Sequence, residues 1–178
     1  MSNTLIVIGG ILLLAVASVV IYAALQPDTF TIARTATIKA PPEKIYPLMS
    51  DFRRGIEWSP YEKKDPGMMR SYSGAPHGKG AIYEFEGSKE IGAGRLEIVD
   101  AVAPSKVVLR LDMKRPFEAS NIVEYHIASK GAETEVTWSM HGKQPLLAKI
   151  MCLFFSMDRM VGRDFEDGLR NLKTVAES

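Results

Sequence analysis

A single cysteine, Cys152, excludes an internal disulfide and a cysteine metal cluster, and its apolar helical setting is that of a small hydrophobic residue. Histidine is nearly as scarce. His77, His126 and His141 stand far apart without the HExxH spacing of a helical zinc site, so no metal is expected. An excess of either charge is also missing: 22 Lys and Arg balance 21 Asp and Glu, which leaves no basic field for nucleic acid. The GxSxG, Walker A and dinucleotide GxGxxG patterns do not occur. Gly92-Ala93-Gly94 leads into Arg95 and a strand pattern rather than a helix, so it reads as a turn, and no nucleotide cofactor is expected either.

Charge is absent altogether before Asp28, and there the chain is richest in apolar residues. Leu5 to Leu25 (LIVIGGILLLAVASVVIYAAL) is an uncharged run of the roughly 20 residues that a helix needs to cross a bilayer. It predicts one transmembrane helix. A signal peptide is the alternative, with Ala15-Val16-Ala17 as a cleavage site. The tail MSNT lacks Lys and Arg and the run continues past that site, which favours an uncleaved anchor. A buried core helix would be expected to show a polar face, and this run has none. Arg34 and Lys39 closely follow the span against Asp28, which leans the following domain toward the cytoplasmic side. Residues 1–27 thus read as a membrane anchor with a short joint, and residues 28–178 as one globular domain.

Beyond the joint, Phe30 to Ile38 alternates as a strand, and Ala40 to Ser50 carries Pro and Glu43 at a helix start. Strands are expected at Ala81–Glu86, Gly94–Asp100, Lys106–Met113, Glu118–Ala128 and Glu133–His141, separated by Gly and Pro. SYSGAPHGKG (Ser71 to Gly80) reads as a hairpin loop over the domain's groove. From Pro145 the period turns helical, with Ile150, Phe154, Met157, Val161, Phe165, Leu172 and Val175 near one stripe. That run would measure about 48 Å, long for such a domain, so a break near Ser156 is expected.

These elements form an α+β domain in which a curved antiparallel sheet wraps around a long C-terminal helix, preceded by the transmembrane helix. Their order, with PPEKIYPLMSDFRRGIEWSPYEKKDP near the start and MDRMVGRDFEDGLRNLK at the end, resembles the polyketide cyclase/dehydrase-like branch of the START-like (SRPBCC) helix-grip superfamily. The resemblance covers about Phe30 to Val175 and implies a cavity between the sheet and the C-terminal helix. Strand phase indicates which side chains face it: Tyr83 and Phe85, Leu109, Asn121 with Val123 and Tyr125, Trp138 and Met140. Met157 joins them from the helix. Asn121 is the polar member, either hydrogen-bonded internally or serving as a hook for a ligand's carbonyl or hydroxyl. In EWSPYEKKDP, Trp58 is expected to pack inward and Tyr61 to lie at the rim. Glu57, Glu62, Lys63, Lys64 and Asp65 are expected to stay in water.

Three functional readings follow. The first is a membrane-anchored domain that binds a hydrophobic small molecule or lipid-like ligand. The second is a cyclase- or dehydratase-type enzyme acting on a polyketide-like or aromatic substrate, which requires a general acid or base in the pocket. The inward phases offer only Tyr83, Tyr125 and Asn121, so no catalytic residue stands out. The third is a non-catalytic structural or partner-binding module whose cavity is filled by its own side chains.

Overall fold

Alternating β-branched residues make Thr29–Ile38 a strand, β1, and turn residues divide the middle of the chain into six more. The computed structural model describes residues 2–178. Helix α1 (Ser2–Ala24) comes first, followed by residues 25–28 and β1. Pro42 opens α2 (Pro42–Ser50), and the Pro-rich stretch forms two short helices, α3 (Gly55–Trp58) and α4 (Pro60–Lys64), with Pro60 in the first turn of the latter. The strands β2 (Met69–Gly74), β3 (Ala81–Glu86), β4 (Ala93–Val102), β5 (Lys106–Arg115), β6 (Ala119–Lys130) and β7 (Glu133–Lys143) follow, and then α5 (Leu146–Phe154) and α6 (Met157–Glu177).

All seven strands join one antiparallel sheet in the order β1-β7-β6-β5-β4-β3-β2. Register shifts in β4 at Ala93/Gly94 and Ile98/Asp100 bend it, as bulges do. The sheet curls around α6, whose Phe165, Leu169, Leu172 and Ala176 are buried in the core. This is the helix-grip architecture that the element order implies.

The long helical run breaks where its length requires. Phe155 leaves the helix, and Ser156 caps α6 by accepting a hydrogen bond from the Arg159 N–H at 3.2 Å. Two glycines inside α6 allow close approach. A Cβ at Gly162 would strike the Arg34 guanidinium, and one at Gly168 would meet the Trp138 ring and Pro60.

Arg34 lies across that gap from β1. It pairs with Asp158 at 3.0 Å and with Glu166 at 2.7 Å, which holds the Asp158 carboxyl below the ordinary carboxylate range.

The glycine-rich segment forms the β2–β3 hairpin turn, but only from residue 75 onward. Its first residues, Ser71 to Gly74, belong to β2. The turn beyond them is tied at the α2 end of the sheet, where the Gly78 N–H donates to Ser50 O and the Gly80 N–H to Ile98 O, both at 2.8 Å. Gly74, Gly78 and Gly80 have positive φ, which lets the turn fold tightly enough to reach those acceptors.

Candidate functional site

Strand register stacks the inward side chains in cross-strand rows whose exposure changes along the groove. One row runs Ile98, Leu109, Val123, Met140, Ile32, and every member is at most 8% exposed. Next to it, toward α2, Tyr125 and Trp138 are also buried, and Trp138 stacks on Phe165 with ring centroids 4.2 Å apart. Trp58 meets both rings edge-on and donates from Nε1 to Leu48 O at 2.8 Å, so it packs inward as expected. This part of the grip is filled with aromatic side chains.

Toward the joint the filling thins. The next row runs Tyr83, Leu96, Leu111, Asn121, Gly142, Phe30, and all but Tyr83 are only half-buried. One row further out, Phe85 and Met113 are half-buried and Ala119 is exposed. Helix α6 repeats the gradient, with Phe165 buried and Val161 and Met157 half-buried nearer the joint. Cover of the inward side chains is therefore complete around Trp138 and thinner toward residues 25–28, while a separate cavity of about 550 Å³ lies outside these rows, lined by Ala40, Pro42, Ser105, Ile127 and Thr134.

Of the residues singled out from sequence, Phe85, Asn121 and Met157 lie among the half-buried side chains on the side of the joint. The filled part holds Leu109, Val123, Tyr125, Trp138 and Met140, with Tyr83 at the boundary. Asn121 is half-buried and folds over Gly142, where any Cβ would strike its amide oxygen. Trp138 Nε1 is buried without a hydrogen-bond partner among the described residues.

Tyr61 is half-buried against the core, and burial next to Asp164 raises its hydroxyl pKa. Beside it Lys64 binds Asp164 at 2.7 Å and Glu90 at 3.4 Å, joining α4, α6 and the β3–β4 turn into one wall.

Glu62 departs from expectation: it is only 8% exposed. Its carboxylate accepts from Tyr83 Oη at 2.6 Å and from Arg70 Nε at 2.7 Å, so both oxygens are engaged. Arg70 also donates to Met68 O at 2.7 Å and Pro66 O at 3.2 Å. Burial raises the Tyr83 pKa, and the Glu62 carboxylate next to it reinforces the shift. Phe52, Tyr72 and Phe85 pack around the Tyr83 ring with centroids 5.2 to 5.8 Å away. A carboxylate held this way, with one hydrogen bond to each oxygen, braces one wall of the groove. No sequence spacing announces it, because Arg70 arrives from another element.

The helical stripe also needs correction. Phe154 is 70% exposed, because the break at Phe155 and Ser156 resets the helical phase between α5 and α6. Met151 and Met160 are exposed too and do not enclose the groove. Among the described residues no group of three or more His, Cys, Asp or Glu side chains converges as a metal site.

Comparison with known proteins supports this geometry at the level of the fold. The profile of the family described as polyketide cyclase/dehydrase and lipid transport matches residues 29–177. Protein CV1439 from Chromobacterium violaceum is similar in structure, with a TM-score of 0.60 at 14% identity over 86% of this chain and 99% of its own. Ginseng major latex-like protein 151 from Panax ginseng reaches a TM-score of 0.59 at 14% identity, covering 85% of this chain and 100% of its own. The Aha1 dimer from Colwellia psychrerythraea reaches 0.58 at 16% identity over 83% and 96% of the two chains. At these identities the likeness is one of fold. No curated protein sequence matches the chain.

Proposed function

Since the chain belongs to the polyketide cyclase/dehydrase and lipid transport family, we propose that it is a membrane-anchored binding domain that takes a hydrophobic small molecule or lipid-like compound into the open end of its groove. One observation carries the reading: the gradient from the buried row at Ile32 to the half-buried row at Phe30, which leaves apolar inward faces uncovered at one end. Apolar walls with one half-buried amide, that of Asn121, suit a ligand that is mostly hydrocarbon with one carbonyl or hydroxyl.

Residues 1–27 serve as anchor and joint. Helix α1 is long and apolar enough to cross a membrane from Leu5 to Ala24, and of that span only Ala23, near its end, is buried. Arg34 and Lys39 favour a cytoplasmic position for residues 28–178. The packing of Trp58, Tyr125, Trp138 and Phe165 leaves the α2 end of the groove to structure rather than to ligand.

Native mass spectrometry of a fragment beginning at Gln26, gently purified, tests the reading. The similar structures consist almost entirely of this domain, which supports its folding without α1. An apolar compound bound one to one is the expected result. A fragment that is folded, empty and indifferent to added fatty acids or aromatic polyketides would defeat the proposal.

A further inference from the structure

Helix α5 has its polarity inverted. A helix on the surface of a soluble domain turns its apolar stripe inward and its charges to water. Here Leu147, Met151 and Phe154, spaced i, i+4, i+7, are 63%, 40% and 70% exposed, and Phe155 just beyond is 72% exposed. The one charged residue of the helix, Lys149, points the other way and is only 4% exposed. Its Nζ donates to Gln26 O at 2.7 Å and to Asp28 Oδ1 at 2.6 Å. Water would favour the opposite arrangement on both sides of the helix.

Position identifies what replaces water. Gln26 and Asp28 lie in the joint that follows α1, so Lys149 fastens α5 to the foot of the apolar span. Ala23, near the end of α1, is fully buried, and α1 and α5 are in contact. The exposed apolar surface of α1 thus runs through Leu25, 79% exposed, onto that of α5. The β5–β6 turn projects from the same end of the sheet, because Asn121 pairs with Gly142 and Gly142 with Phe30, and its Phe117 is 59% exposed. The half-buried rows of inward side chains end there too.

We propose that α5 and Phe155 lie in the interfacial layer of the same bilayer that α1 enters, so that the mouth of the groove faces lipid rather than water. This rests on reading α1 as a membrane span. An apolar helix face held parallel to the surface inserts to the boundary between headgroups and acyl chains, and a buried Lys149 leaves that face free of charge. A lipid-like ligand then passes between bilayer and groove without crossing water.

The test uses the full chain in phosphatidylcholine nanodiscs, with Cys152→Ser removing the native thiol and single cysteines introduced for an environment-sensitive fluorophore. Phe154→Cys and Leu147→Cys probe α5, Leu12→Cys probes the span, and Ser129→Cys probes the far end of the sheet. All four positions are exposed, so labelling leaves the core intact. Probes at Phe154 and Leu147 should be quenched by nitroxide-bearing lipid at least about twofold more than the probe at Ser129, and protected from aqueous iodide. If the Leu12 probe is quenched by lipid while both α5 probes respond only to iodide, the inference fails and the anchor stands. If the Leu12 probe escapes lipid quenching, the anchor reading fails and takes the inference with it. Probes on α5 shielded from both quenchers would show that another copy of the chain covers the face, which also overturns the proposal.

Discussion

Trp138 lies flat on Phe165, with centroids 4.2 Å apart and planes 14° from parallel, and this stack joins the sheet to α6 at the middle of the groove. Trp138→Ala should lower stability by roughly 3 to 5 kcal/mol, the usual cost of removing a buried aromatic ring. Trp138→Phe keeps a ring on Phe165 and removes an indole N–H that has no acceptor, so it should cost clearly less. Urea unfolding of both variants checks the order. Equal losses would show that the stack is not what holds the helix.

The glycines of α6 should respond differently to alanine, although intrinsic propensity favours the change by about 1 kcal/mol at either site. At Gly168 the new methyl meets the Trp138 ring, which its stack holds in place, and overpacking should destabilise by roughly 1 to 3 kcal/mol. At Gly162 it meets the end of a flexible arginine, which can swing aside. Gly162→Ala should therefore melt close to the parent, with loss of the Arg34–Asp158 pair as its main consequence. Thermal melts of the two variants side by side decide it.

Glu62 can be examined by removing each partner in turn. Glu62→Gln should cost roughly 2 to 4 kcal/mol, since it weakens both the Arg70 pair and the Tyr83 hydrogen bond. Arg70→Ala leaves the carboxylate buried with only a hydroxyl and should cost no less. The double variant should lose less than the sum of the two, as coupled partners do. Additive losses would mean that the contacts are energetically independent.

Alkaline pH should unfold the domain through its tyrosines. Burial raises the hydroxyl pKa of Tyr61, Tyr72, Tyr83 and Tyr125 above the ordinary 10.0. The folded chain then keeps protons that the unfolded chain releases, so stability is complete below pH 10 and falls as the pH climbs above it. Melting temperatures followed from about pH 9 to about pH 11.5 should drop beyond pH 10, with phenolate absorbance rising together with unfolding. Substitution of Tyr83 by Phe should flatten that slope.

Asn121 offers a test of the ligand that leaves the fold nearly intact. It is half-buried, so Asn121→Ala should change stability by less than about 1 kcal/mol. Binding of a fatty acid or other apolar probe with a carbonyl should weaken about tenfold, the loss of one good hydrogen bond. An apolar probe without an oxygen should bind the variant and the parent alike. Isothermal titration with the two probes separates a hook from a space-filling residue.

The fold was legible wherever its causes are local. Strands β3 and β5 begin where alternation and turn residues place them, and the break at Ser156 follows from helix length and a capping side chain. What stayed hidden depends on partners distant in sequence. Glu62 looks like a solvent residue until Arg70 and Tyr83 close around it. Arg34 reads as a charge flanking a membrane span, yet it lies across α6 because Gly162 leaves room. Strand phase made the inward side chains legible. Which of them are covered was not, because that depends on how far the aromatic cluster around Trp138 extends.

Strand β1 is the first strand made, and its neighbour in the sheet is the last. Thr29 pairs with Lys143 and Ile38 with Thr134, so no hydrogen bond of that ladder can form until β7 begins to be made, and the ladder is complete only with Lys143. At about 5 to 20 residues per second, the chain between them takes roughly 5 to 20 s to appear. Throughout that interval β1 has both edges bare while five other strands are made and pair among themselves. Termination anywhere before β7 leaves a sheet that α6 cannot close and a strand with no partner, so the final quarter of the chain decides whether the rest is a domain.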